Sequence, residues 1–183
     1  LEGDVVTSLE PAVQAYLEEE LENVRGTYSS DLSGGIVINP KTGEIYAMGL
    51  TPTFNPNDLS DVEDVGVFRN RLVEDRYEMG SIVKPIAMAA AIDAGAVERR
   101  TTFSDPGCQT LNSRTFCNYD LKSHGTAVTM QEVLNKSLNT GMAFAVRRMG
   151  NNTFANYMQK FGFGTTTGID LPNEGDSLIS NLF

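Results

Sequence analysis

The stretch from Tyr77 to Ala94, YEMGSIVKPIAMAAAIDA, constrains the fold more than any other part of the chain. Apolar residues fill nearly every position from Ile86 to Ile92, a pattern typical of a helix that is buried on all sides. Pro85 fits only the opening turn of such a helix, where its missing N–H removes no intrahelical bond. Gly95 is the residue type preferred just past a helix end. We therefore expect a buried helix that begins close to Ser81.

Ser81 and Lys84 lie three residues apart at the start of this helix, so their side chains share one face. The unpaired N–H groups and the positive end of the helix dipole favour negative charge beside Ser81. A serine hydroxyl is a weak nucleophile at neutral pH, and a lysine amine serves as its base when the surroundings lower the lysine pKa. The pattern S-x-x-K therefore fits a catalytic pair. A helix-capping serine followed by a solvent-facing lysine fits it too, because chance matches are common.

Length and charge limit the class of protein. The chain has 183 residues, of which 40% are hydrophobic, enough for the core of one soluble domain. A formal net charge of −10 argues against a nucleic-acid partner and against adsorption to an anionic membrane surface. No apolar run is long enough to span a bilayer, and the first residues lack the pattern of a signal peptide. We expect a cytoplasmic protein or a piece of an exported one whose anchor has been removed.

The two cysteines, Cys108 and Cys117, flank a segment with Asn112–Ser113 at its midpoint. If those two residues form a hairpin turn, the cysteines face each other in a non-hydrogen-bonded pair, where Cα atoms approach to about 4.5 Å. We favour a disulfide there over two separate thiols. Zinc is poorly supported, because two cysteines and one distant histidine, His124, do not make a four-ligand set. We expect no metal and no cofactor.

Further elements are predicted on both sides of the serine helix. Residues 35–39 and 44–49 read as two strands of a hairpin. Ser137 and Asn139 lie in KSLNTG, on a turn between two predicted helices. A hydroxyl and an amide at that turn have the atoms for a proton shuttle and for a donor to a substrate backbone. Helix capping would explain the same two residues.

The order of these motifs resembles a known family. YEMGSIVKP followed by NKSLNTG is similar to the first two motifs, S-x-x-K and S-x-N, of penicillin-binding transpeptidases. Further segments resemble class B penicillin-binding proteins and occur in the same order: GGIVINPKTGEIYAMG, FNPN, FRNRLVEDRYEMGS, the HG at His124–Gly125 and FGFGTTTGIDLPNE. The resemblance runs from about Val5 to Glu174. It implies an α/β fold of the α+β type, similar to serine β-lactamases, present here as a helical subdomain plus the first strands of an antiparallel sheet.

The resemblance also implies roles for the site residues. Ser81 would be the nucleophile that a D-Ala-D-Ala stem peptide or a β-lactam acylates, and Lys84 would be its base. Ser137 would relay the proton, and Asn139 would hydrogen-bond the amide of the substrate. The acyl group would then pass to an amine of a neighbouring peptide, which cross-links peptidoglycan. The family works on the outer face of the cytoplasmic membrane, so the parent would be extracytoplasmic and anchored by a segment left off here.

The third family motif, K-T-G, is where the chain departs from this pattern. In the family it lies on a strand after S-x-N, and no K-T-G follows Asn139. Residues 41–43 spell it upstream of Ser81, but Pro and Gly turn chemistry explains that copy as a hairpin turn. Residues 1–183 would then be a partial transpeptidase domain without half of its oxyanion hole, and one missing donor costs on the order of 10² to 10³ in rate. We expect an impaired chain until a C-terminal segment or a second chain completes it.

Two alternative functions remain open. A β-lactamase or penicillin sensor would use the same Ser81 and Lys84, although a lactamase needs a base for hydrolysis and the chain offers no E-x-x-L-N pattern. Fast turnover of nitrocefin would favour it. A non-catalytic module would use the fold only as a docking surface, and its function would survive the replacement of Ser81 by Ala.

Overall fold

The computed structural model describes residues 3–175 and 178–182, which belong to two compact units. The sheet unit comprises residues 3–75 and 170–175, and the helical unit comprises residues 76–169 and 178–182. The α-helices are α1 Pro11–Tyr28, α2 Arg71–Glu74, α3 Lys84–Asp93, α4 Met130–Asn135, α5 Asn139–Met149 and α6 Asn151–Lys160. The strands are β1 Ser33–Ile38, β2 Ile45–Thr51, β3 Thr102–Asp105, β4 Cys108–Leu111, β5 Arg114–Cys117 and β6 Gly125–Thr129. Short 3-10 turns cover Val65–Phe68, Gly80–Val83 and Ser180–Leu182.

The sheet unit is built on the predicted hairpin of β1 and β2, which pair antiparallel with Ile36 opposite Met48. Its turn is closed by the Asn39 amide, which donates to the Glu44 carbonyl at 2.9 Å. Gly43 has φ +81°, a left-handed conformation that glycine adopts without steric cost. The K-T-G of residues 41–43 is therefore a hairpin turn, as predicted.

Helix α1 covers β2. Pro11 stands at its start, where the missing N–H is harmless, and Leu21 is its buried residue. The Gln14 side chain accepts from the Met48 amide at 2.9 Å and donates to the Met48 carbonyl at 3.0 Å. A helix side chain thus satisfies strand groups that would otherwise be unpaired. Within the described residues, β1 pairs with β2 alone.

The helical unit holds a hydrophobic core around α3. Its most deeply buried members include Met88, Met130, Val133 and Leu138. Helix α3 packs against α5 and α6. The expectation that α3 is buried on all sides is wrong for the described residues, because Ile92 is 46% exposed and Pro85 and Ala89 are exposed as well. The packed neighbours cover one face of the helix.

Two small antiparallel pairs complete the helical unit, β3 with β6 and β4 with β5. In the second pair Cys108 lies opposite Cys117, and both residues of the connecting turn, Asn112 and Ser113, have positive φ. A two-residue hairpin with that geometry is what the sequence predicted. The two cysteines are joined by a disulfide with Cα atoms 4.0 Å apart. The mixture of helices with antiparallel sheet confirms the predicted fold class.

Across the part of the chain that the structure describes, no helix has both the length and the apolar composition that crossing a membrane requires.

Candidate active site

Ser81 lies in the 3-10 turn Gly80–Val83, directly before α3 begins at Lys84. Gly80 has φ +60°, and nothing lies within 4 Å of the position where a Cβ would stand. A left-handed residue at that point costs glycine little and other residues about 1–2 kcal/mol. The Ser81 side chain is exposed. The sequence predicted a serine at the start of the helix, and the structure adds the tight turn that presents it.

A line of hydrogen bonds joins Lys84, Ser137 and Ser81. The Lys84 Nζ donates to the Ser137 Oγ at 2.9 Å, and the Ser137 hydroxyl donates to the Ser81 Oγ at 3.1 Å. The Lys84 Nζ also donates to the Ser137 carbonyl at 2.6 Å. The structure therefore brings together three of the four predicted site residues, from two segments far apart in sequence. Ser137 lies between the other two.

Burial lowers the pKa of Lys84 below its ordinary value, because the charged form loses hydration in this half-buried position. The lower pKa makes the neutral amine, the form that can accept a proton, available closer to neutral pH. The amine donates to a carbonyl and to a hydroxyl, both of Ser137.

Ser137 sits in the turn between α4 and α5 with φ +53°. Few non-glycine residues adopt this conformation, and such strain concentrates at functional sites. The turn is fixed on both sides: the Ser137 amide donates to the Leu134 carbonyl at 3.1 Å, and the Leu138 amide donates to the Val133 carbonyl at 2.9 Å. Leu138 itself is 2% exposed and belongs to the core. The backbone thus aims both oxygens of Ser137 at Lys84.

Asn139 is the first residue of α5, two positions after Ser137. Its side-chain Nδ2 donates to the backbone carbonyl of Cys117 at 2.7 Å. Cys117 ends β5, so the disulfide-linked hairpin supplies this acceptor. One N–H and the oxygen of the Asn139 amide remain for other partners. The sequence assigned Asn139 to a substrate and gave no sign of the contact with Cys117.

A buried polar cluster, defined as Asp105, Asn118 and Thr140, lies behind this end of α5. The three residues are 2%, 2% and 1% exposed. The Thr140 hydroxyl donates to Asp105 at 2.7 Å, and Asn118 Nδ2 donates to both Asp105 oxygens at 3.0 and 3.1 Å. The Thr140 amide donates to Asn118 Oδ1 at 3.3 Å. Sequence reasoning missed this cluster, and its only trace was the turn-forming Asp105-Pro-Gly.

His124, the single histidine of the sequence, lies in the loop before β6. Its backbone amide donates to Asp105 at 2.9 Å, and its Nε2 stands 3.2 Å from an oxygen of Asp120. The pKa of Asp120 is lowered, first by the Lys122 backbone amide and less by His124. The contacts of His124 thus hold the loop before β6.

A groove of about 410 Å³ opens beside Lys84, between α3 and α5. Its walls are mostly apolar, and Arg147 and Asn151 add polar groups. The other lining residues come from the 3-10 turn, from α3, from β4 and from α5, and include Gly80, Val83, Ala87, Leu111, Met142 and Val146. Of the predicted site residues, Lys84 lines this groove.

The geometry links an exposed serine to a lysine through the hydroxyl of a second serine. Residues 34–182 match the family model described as the penicillin-binding protein transpeptidase domain. The chain belongs to this family.

Relatives and solved structures give the same result. The chain is 34% identical to the stage V sporulation protein D of Bacillus subtilis over 98% of its own length. It is 32% identical over 98% of its length to the peptidoglycan D,D-transpeptidase MrdA of Acinetobacter baumannii. A crystal structure of penicillin-binding protein 3 from Mycobacterium tuberculosis, complexed with aztreonam, superposes with a TM-score of 0.82 at 28% identity over 94% of this chain and 38% of that one. The chain spans 28% and 27% of the two curated relatives.

Proposed function

We propose that this chain carries the nucleophile, the base and the proton relay of a D,D-transpeptidase that cross-links peptidoglycan stem peptides. The observation that supports this most is the hydrogen-bonded line from Lys84 through Ser137 to Ser81. A serine activated through a base that a third group orients is the general arrangement of nucleophilic catalysis. Family membership and the relative named as a D,D-transpeptidase support the proposed substrate class.

The proton path follows from the direction of the hydrogen bonds. With Lys84 charged, donation runs from Lys84 to Ser137 and on to Ser81. When Lys84 loses its proton, its lone pair accepts from Ser137, whose oxygen then accepts the proton of Ser81. The amine keeps two N–H groups, one of which still donates to the Ser137 carbonyl. The lowered pKa of Lys84 makes this reversal accessible closer to neutral pH.

The reaction then needs two exchanges at one carbonyl carbon. The Ser81 oxygen bonds to the carbonyl carbon of the penultimate D-Ala, the C–N bond to the terminal D-Ala breaks, and the proton of Ser81 passes by way of Ser137 to the leaving amine. An amine of a neighbouring stem peptide next attacks the acyl-enzyme, gives up its proton along the same path and releases Ser81. The open amide groups of Asn139 would hydrogen-bond the substrate backbone during both steps.

A β-lactam would acylate Ser81 by the same first step, with the ring C–N bond in place of the peptide bond. The relative from Mycobacterium tuberculosis that was crystallised with aztreonam supports this part of the proposal. We use "parent protein" for the product of the full reading frame that encodes this chain. Because the family acts on peptidoglycan, we place the parent protein outside the cytoplasm and anchored to the membrane.

Activity would need groups from outside these 183 residues. No K-T-G follows Asn139, and residues 41–43 form a turn. Among the described residues β1 pairs with β2 alone, and an unpaired strand edge is suited to further strands. A C-terminal segment of the parent or a second chain would supply the third motif. In the 183 residues alone, Ser81 would then be acylated slowly, because one missing oxyanion donor lowers the rate by a factor on the order of 10² to 10³.

The test is covalent labelling with a fluorescent penicillin, followed by mass spectrometry of the labelled peptide. We expect one label on Ser81 in the parent protein, no label after Ser81→Ala, and slow labelling of the 183-residue chain. Rapid stoichiometric labelling of the isolated chain would contradict the proposed dependence on the third motif. Fast nitrocefin turnover would replace the transpeptidase with a β-lactamase. No labelling of Ser81 in the parent would favour a non-catalytic docking module.

A further inference from the structure

We propose that Asp105 and Thr140 are positioning residues that hold the Asn139 side chain in the orientation in which it meets the substrate. The inference rests on the role given to Asn139 under the proposed function. It concerns residues that carry no catalytic group and contact neither Ser81 nor Lys84 in the hydrogen bonds that the structure gives them.

The connectivity of the cluster supports this role. Two pairs of consecutive residues meet: the Cys117 carbonyl accepts from Asn139 Nδ2, and Asn118 Oδ1 accepts from the Thr140 amide. Asp105 contacts both sides of the junction, because it accepts from Thr140 and from Asn118. Movement of either side would change the distance between Asn139 and the Cys117 carbonyl.

The carboxylate of Asp105 is chemically suited to this place. It also accepts from the backbone amides of Gly107 at 2.9 Å and His124 at 2.9 Å, so it meets donors alone. Burial by itself raises the pKa of Asp105, but the hydrogen bonds from Thr140, Gly107, His124 and Asn118 outweigh it and lower the pKa. The group stays ionised near the first turn of α5, where the helix dipole favours negative charge.

Three variants separate positioning from folding. Thr140→Val keeps the shape of the side chain and removes its donor, whereas Thr140→Ser keeps the donor and should restore function. Asp105→Asn turns one oxygen into an NH₂ group, which faces the Asn118 donor in either position, so it disrupts more. Met149→Ala, in the core at the far end of α5, is the control for lost stability alone.

Acylation of Ser81 in the parent protein is measured with two probes. Benzylpenicillin carries an acylamino group for Asn139 to bind, and penicillanic acid is the same ring system without it. We expect Thr140→Val to slow acylation by benzylpenicillin about tenfold and Asp105→Asn to slow it on the order of 10²-fold, because a displaced Asn139 no longer holds the acylamino group in place. Penicillanic acid should change less than twofold with either variant. Met149→Ala should leave the ratio of the two rates unchanged.

A double-mutant cycle with Asn139→Ala sharpens the result. If Thr140 acts through Asn139, Thr140→Val should add less than a twofold further loss for benzylpenicillin once Asn139 is gone. Equal slowing of both probes, or a full tenfold loss in the Asn139→Ala background, would overturn the proposal and leave the cluster a purely structural feature.

A second readout does not depend on acylation. In ¹⁵N NMR spectra of the parent protein, the side-chain amide of Asn139 should lose its hydrogen-bonded shift in Thr140→Val and recover it in Thr140→Ser. An unchanged Asn139 signal in both Thr140→Val and Asp105→Asn would overturn the positioning role. Absence of Ser81 labelling in the wild-type protein, with the NMR response intact, would instead refute the transpeptidase function and keep the structural coupling.

Discussion

The two helix ends that meet at the candidate active site are built in opposite ways. At the N-terminus of α3, Ser81 lies on an exposed 3-10 turn directly after Gly80. Gly80 has φ +60° and no atom within 4 Å of its Cβ position. At the N-terminus of α5, Ser137 and Asn139 lie next to the buried polar cluster and to a core leucine, Leu138. One end is open and one is closely held.

The difference teaches how such a site divides its tasks. A nucleophile must meet its substrate and later release it, so exposure suits the role proposed for Ser81. The roles proposed for Ser137 and Asn139 require fixed distances, and buried hydrogen bonds supply that rigidity. Lys84 belongs to the open end in sequence and contacts the held end in space, through both oxygens of Ser137.

Removal of the link between the two ends should have the largest effect. Lys84→Met deletes the amine and keeps much of the side-chain volume, so acylation of Ser81 by benzylpenicillin should fall on the order of 10³-fold. Labelling reactions of the parent protein are quenched at successive times, and mass spectrometry of the quenched samples gives the acylation rate. Lys136→Met, at an exposed lysine next to Ser137, should stay within twofold of the wild type. A similar loss at both lysines would refute a specific role for Lys84.

Removal of the relay hydroxyl should have the next largest effect. Ser137→Gly and Ser137→Ala both delete Oγ, but glycine tolerates φ +53° and alanine does not. Acylation should fall about 10²-fold in both variants. Urea unfolding should show Ala less stable than Gly by about 1 kcal/mol. Rates that follow this stability difference, rather than the shared loss of Oγ, would count against a relay.

The lowered pKa of Lys84 predicts a pH dependence. Acylation needs the neutral amine, so the rate should rise about tenfold per pH unit at low pH and level off at a pH below the ordinary lysine value of 10.5. The buried charge of Lys84 lowers the free energy of unfolding at low pH, and this loss of stability disappears as pH rises from the folded pKa towards 10.5. Rate profiles of wild type and Lys84→Arg measure this. A rising limb that persists in Lys84→Arg would assign it to another group.

The held end also depends on close packing of α4 and α5. A Cβ at Gly141 would lie 2.3 Å from Val133 Cγ2, so Gly141→Ala should lower the free energy of unfolding by about 1–3 kcal/mol. Urea titration of the 183-residue chain measures the change. Val133→Ala removes the opposing methyls, and the double variant should be more stable than the sum of the two single effects predicts. Simple additivity would show that the contact is relieved in another way.

The open end should respond least. Gly80→Ala forces a side chain into φ +60°, at a cost of about 1 kcal/mol. Gly26→Ala is the control of opposite sign, because Gly26 lies inside α1 with nothing within 4 Å of its Cβ position and alanine favours helix by about 1 kcal/mol. Thermal unfolding of both variants compares them. Equal stabilisation by both changes would mean that the Gly80 turn has no conformational requirement.

The elements with local signals were predictable from the sequence. The β4–β5 hairpin follows from a turn placed midway between two cysteines, and the start of α3 follows from Pro85 and the apolar run after it. These signals depend on residues that are neighbours in the chain. The pairing of Ser81 with Ser137 needed the resemblance to a family, since no local rule brings together residues so far apart.

Other features had no local signal. Asp105, Asn118 and Thr140 come from three separate segments and share no periodicity, so only the folded chain shows that they meet. The exposed side of α3 was misjudged for a related reason. An apolar run indicates that a helix can be buried, but its neighbours decide which faces are covered.

The acceptor for Asn139 is the peptide oxygen of Cys117 and not a side chain. Every amino acid brings that oxygen, so substitutions at position 117 leave the anchor chemically intact. Variation among relatives could therefore erase the cysteine while the anchor survives, provided that the main chain keeps its course. A search for this device in other proteins should trace backbone paths, because an inspection of residue identities would overlook it.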